Sequence, residues 1–129
     1  MKVYDPKKRY YLAHQLATKG SFETNVKRLY TVENVLCCKG YRVMNSHNIT
    51  GHLKLNDRDH RQQIMDICYA LVKACDYLVV CSEISMGVAK EIIVAQAHGV
   101  EVIQLHDLLP TIEMKRYFQP GKGEFYEQV

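Results

Sequence analysis

Residues 76–91 read DYLVVCSEISMGVAKE, and this stretch decides the fold. The segment from Asp76 to Cys81 is continuously apolar after the aspartate, which is typical of a parallel strand covered on both faces. A turn over Ser82 to Ser85 follows, and the spacing of apolar residues then predicts a helix from Met86 to His98. A buried strand that leads through a short turn into a helix is the repeating unit of an α/β domain.

The same alternation of strand and helix extends to both sides of this stretch. Predicted strands lie at 10–14, 41–45, 76–81 and 100–105, and predicted helices lie at 22–38, 60–73 and 86–98. Ser21 is the expected N-cap of the first helix, Asp57 or Asp59 that of the second, and Gly40 and Gly99 the helix stops. Because the connections are short, apart from a polar loop over 47–57, we expect a Rossmann-like parallel sheet of four to five strands with helices on both faces.

Length and composition indicate a single domain over residues 1–129, with a core at 10–105 and a C-terminal tail at 106–129. The formal net charge of +3 is too weak to indicate a nucleic-acid partner. No apolar stretch approaches the ~20 residues that span a bilayer, and the first residues do not resemble a signal peptide. The five cysteines, odd in number and without a CxxC pair, are expected to be reduced, buried thiols. We therefore expect a cytoplasmic protein with no membrane partner.

Polar side chains gather at the carboxyl ends of the predicted strands, where open parallel sheets bind their ligands. These side chains are His14, Gln15, Asn45, His47, Ser82 and Ser85.

The start of the third predicted helix offers an anion-binding corner. Free N–H groups and the Ser85 hydroxyl favour an anion there, and Gly87 allows the backbone to turn closely. Glu91 lies in the second turn, and its carboxylate either accepts ribose hydroxyls or attacks an anomeric carbon. The alternative is a capped helix on which Glu91 is a solvated or paired charge.

Further candidates lie on the other two helices. Arg61 is a phosphate ligand or a surface arginine, and Asn25 and Arg28 face the crevice if the first helix presents its opening turns to it. The histidines at 47, 52 and 60 lack zinc-like spacing and a cysteine partner, so a metal site is not expected. No organic cofactor is expected either.

Three motifs together resemble the nucleoside 2-deoxyribosyltransferase-like superfamily. They are YLA at 11–13, CDYLVV at 75–80, and the pattern S-x-G-x-x-x-E-x-x-x-A-x-x-x-G over 85–99, within a resemblance that covers residues 10–105. The superfamily includes transferases, 5′-monophosphate N-glycosidases and uncharacterised, often phage-borne members. The resemblance implies an oligomeric Rossmann-like protein that cleaves or transfers at an N-glycosidic bond through a covalent glycosyl–carboxylate intermediate. It places the nucleophile on Glu91, the serine that contacts phosphate or sugar on Ser85, and the tyrosine that orients the nucleophile on Tyr11.

The sequence departs from this family at two places. The aspartate expected on the second helix falls on Cys68, and Asp66 is offset by two residues, which turns it ~200° around the helix. The usual Gly-Ser or Gly-Pro after the first strand is His14-Gln15 here. Either His14 or His47 substitutes in handling the leaving base, or the chemistry is lost.

Three hypotheses follow for a chain whose expected ligand is a nucleoside or nucleotide. The first is an enzyme, a hydrolase or transferase in which Glu91 is the nucleophile. The second is a non-catalytic protein that sequesters a nucleotide or an ADP-ribose-like signal, as a phage-type sponge does. The third is a structural oligomer with a vestigial crevice. We expect a homodimer or higher homo-oligomer in which the tail covers a neighbour's crevice.

Overall fold

The computed structural model describes residues 3–16, 22–53 and 57–110, together with the backbone of two short strands at 118–119 and 124–125. The strands are β1 (Arg9–Ala13), β2 (Arg42–Met44), β3 (Tyr77–Val80), β4 (Glu101–Gln104), β5 (Phe118–Gln119) and β6 (Glu124–Phe125). The helices are α1 (Phe22–Cys38), α2 (His47–Thr50), α3 (Arg58–Lys73), α4 (Met86–Ala97) and α5 (Leu105–Leu108).

Strands β1 to β4 form one parallel sheet with the order β2-β1-β3-β4. The predicted α/β fold with a four-stranded parallel sheet is therefore confirmed. After β1, the chain forms β2 on one side of β1 and then forms β3 on the opposite side. This reversal of strand order opens a crevice outside the carboxyl ends of β1 and β3. The remaining strands, β5 and β6, pair as an antiparallel hairpin, and β6 lies beside α1.

Two hydrophobic clusters cover the two faces of the sheet. In β1, Tyr10 and Leu12 belong to the cluster under α1, whereas Tyr11 and Ala13 belong to the cluster under α3 and α4. This alternation follows from the two-residue period of a strand, and it confirms that helices cover both faces. As a consequence, Tyr11 points towards the α3–α4 side and is only 1% exposed.

The helix ends follow local signals in the sequence. Gly40 and Gly99 have φ values of +92° and +73°, a region that glycine enters without steric strain, and each follows a helix end as predicted. Of the two candidate caps for α3, the structure has Asp57, whose carboxylate accepts hydrogen bonds from the backbone N–H groups of Asp59 and His60. The predicted cap Ser21 lies outside the described residues.

Two segments differ from the predicted pattern. The loop expected over 47–57 begins with the single turn of α2, because the Asn45 side chain accepts from the His47 N–H and the Thr50 hydroxyl donates to the Ser46 carbonyl. The core also reaches beyond 105, since α5 buries Leu108 and, just after it, Leu109 against the α1 side of the sheet.

The cysteines are all free thiols, but they fall into two groups. Three are buried, at 68, 75 and 81, whereas Cys37 and Cys38 are exposed. The prediction of buried thiols is wrong for these last two, because in the final turn of α1 they lie on the side of the helix away from the buried Leu36. None of the helices in the described part of the chain is long and apolar enough to cross a membrane.

Candidate functional site

A pocket of about 230 Å³ lies at the carboxyl edge of the sheet, between β1, α3 and the start of α4. It brings together most of the predicted site residues, namely Tyr11, His14, Gln15, Arg61, Ser85, Gly87 and Glu91. These residues come from three elements and the turns after β1 and β3, so the pocket exists only in the folded chain.

The deepest polar contact in the pocket joins Tyr11 to Glu91. The Tyr11 hydroxyl donates a hydrogen bond of 2.5 Å to Oε2 of Glu91. Tyr11 lies on β1, which is paired with β3 in the sheet. Glu91 lies one helical turn beyond Gly87 on the same face of α4. The pair therefore fixes Oε2 of the carboxylate at the wall of the pocket.

The surroundings of Glu91 favour its neutral form. Burial raises the pKa of this carboxyl from 4.5 to about 7, although the hydrogen bonds from Tyr11 and Cys68 partly oppose the rise. Burial and the charge of Glu91 also raise the pKa of Tyr11 well above its usual value, so the phenol keeps its proton and remains a donor. A carboxyl that titrates near neutral pH, next to a fixed donor in a pocket, is a common feature of catalytic sites.

Cys68 reaches this pair from α3. Its side chain is buried, lines the pocket and hydrogen-bonds Glu91, and burial together with the charge of Glu91 raises the pKa of the thiol. Asp66 is exposed and instead accepts a hydrogen bond of 2.9 Å from the Gln62 amide. The two-residue offset thus turns Asp66 to the outside of α3, as helical geometry predicts.

The start of α4 forms one wall of the pocket. Ser85 is the N-cap of the helix, and its Oγ accepts a hydrogen bond of 3.2 Å from the Val88 N–H. Gly87 is not in the left-handed region, so the expectation that it provides a special backbone turn is wrong. A Cβ placed on Gly87 meets nothing closer than the Ser85 Oγ at 3.9 Å. Packing therefore does not require a glycine here, and its lack of a side chain leaves the pocket wall open.

The turn after β1 contributes His14 and Gln15. The Gln15 N–H donates to the Ser82 hydroxyl at 2.9 Å, and that hydroxyl in turn donates to the Glu83 carbonyl. The imidazole of His14 is buried, and its Nδ1 lies 2.6 Å from the Gln15 carbonyl oxygen. These contacts hold the end of β1 against the turn that follows β3.

Five residues expected at the crevice do not line this pocket, namely Asn25, Arg28, Asn45, His47 and Ser82. Asn25 is buried and donates from Nδ2 to the Leu16 carbonyl at 2.9 Å, so it ties α1 to the end of the β1 turn. His47 shares a hydrogen bond of 3.0 Å with the Tyr30 hydroxyl and contacts the aromatic rings of Phe22 and Tyr30. Both side chains are held by contacts within the fold, and these local contacts could not be seen in the sequence.

The pocket also contains residues that the sequence pattern did not single out. Ser46 and Thr50 line it from the segment between β2 and α3, and Tyr69 and the exposed Lys90 lie on its rim helices. For Tyr69, helical periodicity was a signal that could have found it. The lining residues of α3 fall at 61, 64, 65, 68 and 69, which is one face of a helix. No cluster of three potential metal ligands occurs among the residues that the structure describes.

The strand order and the pocket at its switch point define an α/β domain with a Rossmann-like fold. A solved 2-deoxyribosyltransferase from the psychrotolerant bacterium Bacillus psychrosaccharolyticus has a similar fold, with a TM-score of 0.57 and 17% sequence identity. The match covers 74% of this chain and 70% of that one. The relationship that the sequence motifs predicted is therefore confirmed at the level of the fold.

Residues 8–104 match the family described as domain of unknown function DUF4406, and the chain belongs to this family. No curated protein matches the chain in sequence.

Proposed function

We propose that the chain is an enzyme that binds a nucleoside or nucleotide and cleaves or transfers at its N-glycosidic bond, with Glu91 as the nucleophile. The observation that carries this proposal is the hydrogen bond of 2.5 Å between Tyr11 and Glu91 inside the pocket. A buried carboxyl with one oxygen fixed by a phenol is oriented to present the other oxygen to a reacting carbon.

In the proposed reaction, a free oxygen of the Glu91 carboxylate attacks C1′ of the sugar. The C1′–N bond breaks, and the base departs with its electron pair and takes a proton from water. In hydrolysis, water then attacks C1′, the bond from C1′ to the Glu91 oxygen breaks to regenerate the carboxylate, and the proton of the attacking water neutralises the hydroxide left by the first step. In transfer, the nitrogen of a second base attacks instead and loses its proton in the same way. The covalent glycosyl intermediate splits one difficult step into two easier ones. Tyr11 holds the carboxylate and stabilises its negative charge as the intermediate breaks down.

The rest of the pocket suits a small, partly anionic ligand. Its volume of about 230 Å³ lies below the ~300–1,000 Å³ of typical drug-sized ligand sites, which favours a nucleoside or mononucleotide over an ADP-ribose-like signal. Arg61, Lys90 and the Ser85 cap lie on its wall, and they supply positive charge and a hydroxyl for a 5′-phosphate.

The proposal is tested by incubating wild type, Glu91→Gln and Glu23→Gln with a panel of nucleosides and their 5′-monophosphates and then assaying for free base. Glu23 is an exposed glutamate in the first turn of α1, which makes its variant a matched control. We expect free base from wild type and Glu23→Gln but not from Glu91→Gln. Mass spectrometry of acid-quenched wild type is expected to find the sugar on the peptide that contains Glu91. Free base from Glu91→Gln at the wild-type rate contradicts the proposal.

A second candidate function is binding without catalysis, and the geometry on α3 favours it. Cys68 takes the place of the aspartate that the resemblance implies, and Asp66 faces solvent, so neither supplies a carboxylic acid to the leaving base. Intact nucleotide recovered by heat release from both wild type and Glu91→Gln supports this second function. Failure of wild type to retain or alter any nucleoside or nucleotide contradicts both functions.

The predicted homo-oligomer and the predicted cytoplasmic location remain proposals. Light scattering of the purified chain tests the first, and a monomer contradicts it. Fractionation of cells that express the chain tests the second.

A further inference from the structure

Within the described part of the chain, His14, which follows β1, has a partner for only one of its two ring nitrogens. Nδ1 of His14 lies 2.6 Å from the Gln15 carbonyl oxygen, and a carbonyl oxygen only accepts hydrogen bonds, so Nδ1 carries a proton. Nε2 is buried and has no hydrogen-bond partner among the residues that the structure describes. The residue is 9% exposed, so water does little to replace the missing partner.

The surroundings of His14 disfavour a second proton on the ring. Burial lowers the pKa of His14, and the positive charge of Arg28 on α1 lowers it further, although the bond to the Gln15 carbonyl acts in the opposite direction. With Nδ1 protonated and the ring neutral, Nε2 presents a lone pair and not an N–H group. The free nitrogen is therefore an acceptor that requires a donor from elsewhere.

The backbone next to His14 holds the ring in this state. Gln15 supplies the carbonyl, and its own N–H is bound to the Ser82 hydroxyl at 2.9 Å. His14 lines the pocket that contains Glu91. Buried polar atoms in native proteins are nearly always paired, and an unpaired one next to a pocket points to a ligand group as its partner.

We propose that His14 is a specificity-determining residue, whose Nε2 accepts a hydrogen bond from an N–H or O–H group of the ligand. This inference rests on the proposed function, because it takes the ligand to be a nucleoside. Two sources of the donor share this chemistry, an exocyclic amine of the base and a hydroxyl of the sugar. A ligand that lacks the donor leaves Nε2 unpaired in the complex, so the site discriminates against it.

Nucleoside binding tests the proposal and separates the two sources. Calorimetric titrations are made in the Glu91→Gln background, so that the ligand stays intact. Adenosine is compared with purine riboside, and cytidine with its 4-deamino analogue, to remove an amine. 2′-Deoxyadenosine is compared with 2′,3′-dideoxyadenosine to remove a hydroxyl. When His14 is present, we expect either the amine pairs or the hydroxyl pair to differ by about tenfold in Kd.

The variants show whether this difference depends on the imidazole. His14→Phe is expected to reduce the tenfold difference to less than about twofold, and His14→Gln, which keeps an acceptor near the position of Nε2, is expected to retain most of it. Urea unfolding of each variant checks that the domain is folded. If no pair differs in the presence of His14, or if His14→Phe keeps the same difference, the proposal is overturned while the proposed function stands.

The ring itself is tested without any ligand. Nitrogen-15 NMR of the histidine side chains, with His14 assigned through the signals lost in His14→Gln, is expected to show protonated Nδ1 and unprotonated Nε2 at neutral pH. A proton on Nε2 overturns the proposal whether or not nucleosides bind. If the ring is as expected but no nucleoside binds to the chain, the proposed function fails and the role of His14 in it falls too.

Discussion

Replacement of Glu91 by glutamine is expected to change the pH dependence of stability. The pKa of Glu91 rises from 4.5 to about 7 on folding because the carboxyl is buried. At about 1.36 kcal/mol per pKa unit, this shift corresponds to roughly 3 kcal/mol of unfolding free energy. The folded state binds the proton more tightly than the unfolded state does. Stability from this group is therefore complete below about pH 4.5 and is lost as the pH rises to about 7.

Glutamine in place of Glu91 does not ionise, so the variant does not lose this part of its unfolding free energy as the pH rises. The unfolding free energy of Glu91→Gln relative to wild type is expected to increase by up to about 3 kcal/mol between pH 4.5 and pH 8. The measurement is urea unfolding of both proteins at half-unit steps across this range. An upper limit of pH 8 keeps Tyr11 and Cys68 protonated, because burial raises the pKa of both groups.

The control is Glu23→Gln, which removes an exposed carboxylate from α1 and is expected to give a nearly flat difference against pH. A flat difference for Glu91→Gln as well refutes the reasoning, because it means that the carboxyl has the same pKa in the folded and unfolded states. A difference that falls as the pH rises refutes it too, since it means that the folded state stabilises the ionised form.

Three further substitutions test other parts of the site. Tyr11→Phe removes the hydrogen bond that favours ionised Glu91, so the lower limb of the pH–rate profile is expected to move to higher pH and the rate at pH 7 to fall about tenfold or more; an unchanged profile contradicts the pairing. Gly87→Ala meets no close atom and adds a better helix former, so we expect urea unfolding to show stability unchanged or raised by about 0.5–1 kcal/mol while nucleoside binding weakens; loss of folding contradicts this. Asn25→Ala removes the bond to the Leu16 carbonyl and is expected to lower the unfolding free energy by about 1–2 kcal/mol with little effect on Kd, whereas a large effect on Kd alone supports direct ligand contact.

Much of the fold follows from signals that are local in the sequence. The buried run that contains β3 and the apolar periodicity of α1 are properties of consecutive residues, and so are the caps and glycines at the helix ends. The position of Glu91 in the second turn of α4 follows in the same way from the Ser85 cap. The short α2 was missed because a single turn held by side-chain bonds has no periodicity to detect.

Most of the candidate site that could be predicted was marked by a motif or a strand end, and Arg61 on α3 was the exception. The motif over 85–99 and the strand ends pointed to Ser85, Gly87, Glu91 and His14, and all four line the pocket. The strand ends also placed His47 in the crevice, and the opening turns of the first helix placed Asn25 there, but both side chains are engaged elsewhere in the fold. Which way a side chain turns depends on its neighbours in space, and spacing along the chain does not report those neighbours.

The sequence by itself determined the order of strands and helices along the chain and the place of Glu91 near a helix start, because these depend on residues within one turn or one strand of each other. The parallel sheet followed from that alternation and its short connections. Tertiary structure decided that Tyr11 meets Glu91 across 80 positions of sequence, a contact that only the family resemblance implied, and that Cys68 joins them. It alone decided that Nε2 of His14 is left without a partner among the described residues. The physical reason is that hydrogen-bond partners and burial, and therefore pKa values, are properties of the packed surroundings of a group.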